Sequence, residues 1–244
     1  MKIFIILSLF AFLFSSNIKS IDLITTNDMH GFITEQDASF MNPNFPPLII
    51  GGSGYYRYIK DHTQDSSTII LDGGNFFQGH PLSEIDSGRT MIEFMNKVGY
   101  DALVPGPDDF IYGANSLNNL ADLSDFPFLM ANIECDLCEL ESENIKPYTI
   151  IKKNGIKIGL LGIVDFDLRN KVPSNKIIGL HTIGIKESIE KWVPIVKSLS
   201  DIVIILTSAG VPYDREEVYN NFIAGIKSKN HSTDRYKNLN AIEM

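Results

Sequence analysis

Cysteine is nearly absent from this 244-residue chain: there are 2, both in Cys135-Asp136-Leu137-Cys138. That scarcity excludes a disulfide-framework fold. A structural zinc site at the pair would need two more soft ligands, and no other cysteine exists. Histidine is also scarce, with 5 residues, so few imidazoles are available for metal or proton chemistry. Basic residues fall short of acidic ones, 21 Lys+Arg against 30 Asp+Glu, for a formal charge of -9. A surface that negative repels phosphate backbones and argues against nucleic acid as a partner. It also slows an anionic substrate unless a local cation reverses the field. No long polar or Gly/Ser-rich tract interrupts the chain, and no internal repeat is visible.

What is present suits one globular domain: hydrophobic residues make up 44% and mean hydropathy is +0.02. Lys2 precedes an apolar-plus-Ser run from Ile3 to Phe14, followed by the small and polar residues Ser15 to Ser20. This run is short for a bilayer span, so residues 1–20 are read as a cleaved signal peptide, the alternative being an uncleaved anchor. The expectation is a protein secreted or held in the secretory lumen, with no membrane contact after cleavage. In that compartment Cys135 and Cys138 are expected to form a local disulfide; a redox pair is the alternative. Asn230-His231-Ser232 is a single glycosylation sequon.

Strand and helix patterns alternate. Ile21–Thr26, Thr68–Asp72, Asp101–Val104 and Asp201–Leu206 read as strands, the last the most apolar, and Pro127–Ile133 as extended. Tyr148–Lys152 and Ile156–Val164 flank Asn154-Gly155, a strong hairpin cue. Thr90–Val98, Leu117–Leu123, Ile185–Leu199 and Glu216–Ile226 read as helices. The pattern predicts a single layered α/β domain over residues 21–226, its sheets flanked by helices, with a frayed tail over 227–244.

Several predicted strands end in small and polar residues: Thr26-Asn27-Asp28-Met29-His30-Gly31, Asp72-Gly73-Gly74-Asn75, Gly106-Pro107-Asp108-Asp109 and Thr207-Ser208-Ala209-Gly210. Ligands gather at such ends in open α/β sheets. Asp28 and His30, two residues apart, could chelate one divalent cation from an extended chain. The plainer alternative is that Asp28 caps a turn and His30 hydrogen-bonds locally.

Ile24 to Gly31 resembles the opening motif of the 5'-nucleotidase family of calcineurin-like metallophosphoesterases, Asn-Asp-x-His-Gly. Gly51-Gly52 with Arg57, Leu71 to Gly79, and Met95 to Ala102 are similar to further segments of that family. So are Pro127 to Ile133, Lys146-Pro147-Tyr148, Ile156 to Gly162 and Asp201 to Gly210, all in family order. The resemblance covers about residues 21–214. It implies a metallophosphoesterase-like fold, a role in nucleotide breakdown, and two metal ions that activate water and hold a phosphate.

On this resemblance Asp28 and His30 are the remaining ligands of the first metal. The bridging carboxylate falls at Asn75. The family's metal-binding Asn and catalytic His fall at Pro107 and Asp108, and the next His ligand at Ser208. A final Gly-His-x-His has no clean counterpart at Gly225-Ile226 or Asn230 to Thr233. Two dications about 3.5 Å apart repel by ~19 kcal/mol at an effective dielectric near 20, so the missing bridging charge matters. The family's second, nucleoside-binding domain has no counterpart either, so the metallophosphoesterase-like domain is expected to be incomplete. The first expectation is therefore a secreted, catalytically inactive relative without a cofactor, with a nucleotide or other phosphate ester as a conceivable ligand. The alternative is a phosphomonoester hydrolase using one zinc or manganese ion on Asp28, His30 and Asp108 or Asp109. A third reading is a subunit that completes its sheet against a partner.

Overall fold

A computed structural model describes residues 19–63, 66–138, 140–165 and 167–210. The signal-peptide reading, the helix expected over Glu216–Ile226 and the tail lie almost wholly or wholly outside those residues.

In chain order, the described strands are β1 (Asp22–Thr26), β2 (Gln36–Asp37), β3 (Leu48–Ile49), β4 (Thr68–Asp72), β5 (Ala102–Leu103) and β6 (Phe128–Leu129). They continue with β7 (Ile133–Cys135), β8 (Ile145–Lys146), β9 (Tyr148–Lys153), β10 (Ile156–Ile163), β11 (Leu180–Thr182) and β12 (Ile202–Thr207). The longer helices are α1 (Gly52–His62), α2 (Arg89–Val98), α3 (Ala114–Leu123) and α4 (Ile185–Leu199). One sheet has the order β1-β4-β5-β6-β8, every pair parallel. A second has the order β12-β10-β9, with β10 parallel to β12 and antiparallel to β9. Two ribbons, β2-β3 and β7-β11, complete the set.

The core explains these assignments. Every residue of β4 is buried, as expected of a parallel strand covered on both faces. Along α2, Met91, Ile92, Met95 and Val98 form a buried stripe at helical spacing, and left-handed Gly99 (φ 94°) ends the helix. These residues join one apolar cluster with β4, β5, β6 and the even-numbered Ile158 and Leu160 of β10. The odd-numbered Leu161 and Ile163 face a smaller cluster under α4, with Trp192 at its edge. The hairpin cue holds: β9 and β10 pair across Asn154 (φ 49°) and Gly155 (φ 73°), the doubly left-handed turn this dipeptide favours. Cys135 and Cys138 are disulfide-bonded at the end of β7; so small a ring contributes only ~2 kcal/mol by chain entropy.

Two features add to the sequence reading. Among the described residues β12, the most apolar predicted strand, lies at a sheet edge, with Ile202 and Ile205 exposed. Apolar composition records affinity for a core but not the position of a strand within its sheet. The extended stretch at Pro127–Ile133 is two strands, β6 and β7, separated by a turn at Ala131-Asn132. There the Asn132 amide donates to the Val164 carbonyl and accepts from its N–H, both at 2.8 Å, fastening the end of β6 to the end of β10.

The two large sheets meet where β10 crosses β6. A Cβ on Gly162 would lie 2.3 Å from the Leu129 carbonyl oxygen, so only glycine fits. On the opposite face, a Cβ on Gly159 would lie 2.2 Å from a methyl of buried Val196 on α4, a side-chain contact rather than a backbone one. Gly162→Ala is therefore expected to destabilise by about 3 kcal/mol and Gly159→Ala by about 1 kcal/mol, the two ends of the overpacking range. Urea denaturation of both variants checks the order; equal losses would contradict the backbone contact at Leu129.

Candidate functional site

The loops leaving β1 and β4 run side by side. The N–H groups of Asp28, His30 and Gly31 donate to the carbonyls of Gly74, Asn75 and Phe76, each at 2.9 Å. This course holds Asp28 (φ 52°), His30 (φ 47°) and Asn75 (φ 55°) in left-handed backbone. For non-glycine residues that costs on the order of 1 kcal/mol apiece, and such outliers concentrate at functional loops.

A third loop follows β5 and turns through a 3-10 segment at Pro107–Phe110. Its Asp109 is fully buried. The Asp109 carboxylate accepts from the backbone N–H of Asn75 at 2.7 Å, Gly106 at 2.8 Å and Phe76 at 2.9 Å. Burial holds this carboxyl well above its ordinary range, against the pull of those donors. Asp72, also buried, accepts from Thr26 Oγ1 at 2.6 Å and the Gly74 N–H at 2.8 Å. Burial pushes Asp72 up to about 7; the two hydrogen bonds oppose the shift and the charge of Asp28 adds to it.

Asn75 lies between these loops with both ends of its amide engaged. Nδ2 donates to Asp28 Oδ1 at 2.8 Å, and Oδ1 accepts from the Asp108 N–H at 3.0 Å. A carboxylate only accepts and an N–H only donates, so these partners fix the amide's orientation. Asp28 Oδ2 accepts in turn from Asn27 Nδ2 at 2.8 Å. Both oxygens of Asp28 therefore face amide donors. Gly106 makes room, since a Cβ there would lie 2.2 Å from Asn75 Oδ1. His30 Nδ1 donates to the Gln78 carbonyl at 2.8 Å, which leaves Nε2 as its available lone pair, and lies 3.9 Å from the half-exposed Asp108 carboxylate.

No family model matches the chain. A snake venom 5'-nucleotidase from Gloydius brevicauda is 36% identical over 144 residues, 57% of this chain and 24% of that protein. The trifunctional nucleotide phosphoesterase YfkN of Bacillus subtilis is 29% identical over 174 residues, 62% of this chain and 12% of that protein. Among solved structures, the 5'-nucleotidase precursor from Thermus thermophilus superposes with a TM-score of 0.65 at 21% identity, covering 77% of this chain and 36% of that one. The chain is a 5'-nucleotidase homologue. Its fold is that of the N-terminal domain of those phosphoesterases. The matched segment amounts to between 12% and 31% of the length of the relatives compared.

In this 5'-nucleotidase homologue the strand-end cluster mixes carboxylate, imidazole and amide side chains. Asp28, His30, Asn75 and Asp108 come together as the sequence suggests. Asp109 does not join them: both of its oxygens turn inward to backbone donors, so it is no ligand, and that part of the one-metal alternative is corrected. Pro107 is buried in the 3-10 turn and offers no ligand atom. Ser208 Oγ accepts from the Asp165 N–H at 3.0 Å and its N–H donates to the Ile163 carbonyl at 3.2 Å, so both are used at the end of β10. Gly225-Ile226 and Asn230 to Thr233 lie outside the described residues. Among the described residues, no group of three or more His, Cys, Asp and Glu is arranged to hold a metal. An amide donor, not a second anion, faces Asp28 Oδ1. The residues do not fit the two-ion centre.

Asp72 stands in the sequence only as part of a strand end, and its buried, hydrogen-bonded role appears in the fold. Its signal is an acid closing the otherwise apolar Thr68–Asp72 run. The folded chain keeps the Asp72 proton from about pH 4 to about pH 7, a window in which the unfolded chain has released it. Stability attributable to Asp72 is thus present below that window and lost as pH rises through it. Asp72→Asn is expected to flatten the decline, as read from urea midpoints across the window. An unchanged pH slope in the variant would remove Asp72 as its source.

Proposed function

We propose that this chain is a secreted 5'-nucleotidase-like phosphoesterase homologue that does not hydrolyse phosphate esters. One observation carries the reading: the 2.8 Å hydrogen bond from Asn75 Nδ2 to Asp28. At the position where the family resemblance implies a shared anion, the chain supplies a neutral donor. It satisfies with a hydrogen bond the carboxylate that a cation would otherwise satisfy. Without that cation, Asp28 and Asp108 face any incoming phosphate with like charge, and no Lys or Arg forms an ion pair with either among the described residues. An uncharged or cationic ligand therefore suits the strand-end cluster better than a phosphate ester.

The competing reading keeps one zinc or manganese ion on Asp28, His30 Nε2 and Asp108. The free Nε2 of His30 and the half-exposed carboxylate of nearby Asp108 favour it. Phosphate release from AMP and p-nitrophenyl phosphate, with added zinc or manganese, separates the two readings. The expected result is no release above the metal-only blank. Chelator-sensitive release that disappears in His30→Ala would establish the one-ion enzyme instead. Asn75→Asp is expected to raise zinc affinity by about tenfold or more in equilibrium dialysis, because it replaces a donor with an anion.

Secretion rests on residues 1–20 and agrees with the disulfide, a bond that persists in oxidising compartments. N-terminal sequencing of the exported protein should begin near Ile21; a chain retaining Met1 would contradict it.

A further inference from the structure

The most exposed apolar surface among the described residues belongs to the β2-β3 hairpin, not to the strand-end loops. Residues 38–50 run Ala-Ser-Phe-Met-Asn-Pro-Asn-Phe-Pro-Pro-Leu-Ile-Ile, thirteen positions without one Lys, Arg, His, Asp or Glu. Phe40 is 81% exposed and Phe45 82%, with Met41, Leu48 and Ile50 each more than half exposed. Single exposed apolar residues need no explanation, but a contiguous cluster of this kind marks a contact surface.

The hairpin is ordered by its own bonds. Gln36 pairs with Ile49 and Asp37 with Leu48. The N–H of Ala38 donates to the Pro47 carbonyl at 2.8 Å, and that of Met41 to the Ala38 carbonyl at 2.9 Å. Asn42 Oδ1 accepts from the N–H groups of Asn44 and Phe45, both at 3.1 Å. Ala38 is fully buried and anchors the base. The aromatic side chains are thus presented on a fixed backbone, which lowers the ordering cost of any contact they make.

Charge identifies the occupant. Specific protein interfaces ring an apolar centre with charged groups that set register; this projection has Ser39, Asn42 and Asn44 but no charged side chain until Asp37 at its foot. An uncharged knob with two phenylalanines suits the interfacial region of a bilayer, where binding scales with the apolar area inserted. The formal charge of -9 opposes anionic headgroups and leaves zwitterionic ones. We propose that the 38–50 hairpin is an interfacial anchor that inserts Phe40, Met41 and Phe45 into a zwitterionic phospholipid surface. The Gly52 N–H donates to the Ile33 carbonyl at 2.8 Å, closing the hairpin's base three residues beyond His30. A bilayer bound there lies beside the strand-end cluster.

The test uses the full chain and phosphatidylcholine vesicles. Brominated phosphatidylcholine should quench tryptophan emission in Phe45→Trp but not in the parent, whose one tryptophan, Trp192, is on α4 and packs against the smaller core cluster. This local readout is independent of any binding through residues 1–20. The Phe40→Ser, Phe45→Ser double variant, with unchanged circular dichroism and melting temperature, should show vesicle partitioning weakened by about tenfold or more. Absence of quenching, or partitioning equal to the parent, overturns the proposal. So does self-association of the parent without vesicles that the double variant abolishes, because the occupant would then be a second copy. Stronger partitioning to phosphatidylserine vesicles overturns the choice of a zwitterionic surface.

Discussion

A single buried carboxylate governs the strand-end region. Asp109 gathers the N–H groups of Asn75, Phe76 and Gly106, which belong to the loops after β4 and β5. The Phe76 and Gly106 donors are buried, and a buried donor costs about 1–3 kcal/mol if left unpaired. Asp109 therefore fixes the spacing of two loops that pairing of β4 and β5, only two residues long, would leave loose. Asn75 and Asp108 are where they are because Asp109 holds their backbones.

On that frame the side-chain electrostatics follow a different logic from a metal centre. Carboxylates crowded at one edge need cations or hydrogen-bond donors, and here the donors are amides and backbone N–H groups. Asn75 and Asn27 between them cover Asp28, while Thr26 and Gly74 cover Asp72. Burial of Asp72 and Asp109 raises both toward their neutral forms, which further limits the negative charge in the cluster.

Much of this architecture was legible before any coordinates. The β4 strand, the α2 and α4 helices and the β9-β10 hairpin each carry a strong local pattern, and packing agrees with it. The β2-β3 hairpin was not legible, because its residues are apolar without alternation and its strands are two residues long. Helix α1 was hidden by Gly52 and Gly54 in its first turn, poor helix formers that the fold overrides. At the site, the family resemblance grouped Asp28, His30, Asn75 and Asp108, and the fold places these four side chains near one another. The resemblance could not separate Asp108 from Asp109, adjacent residues of one type whose roles differ only by which way a 3-10 turn points them.

The paired main-chain course of the β1 and β4 loops has an evolutionary consequence. Their left-handed residues are held by carbonyls and amides that every substitution leaves in place, proline aside. Ligand side chains on such loops can be exchanged one at a time without loss of the surrounding architecture. A gain or loss of ion-binding side chains there then needs no intermediate that fails to fold, because the main chain carries the loops' course whichever side chains it bears.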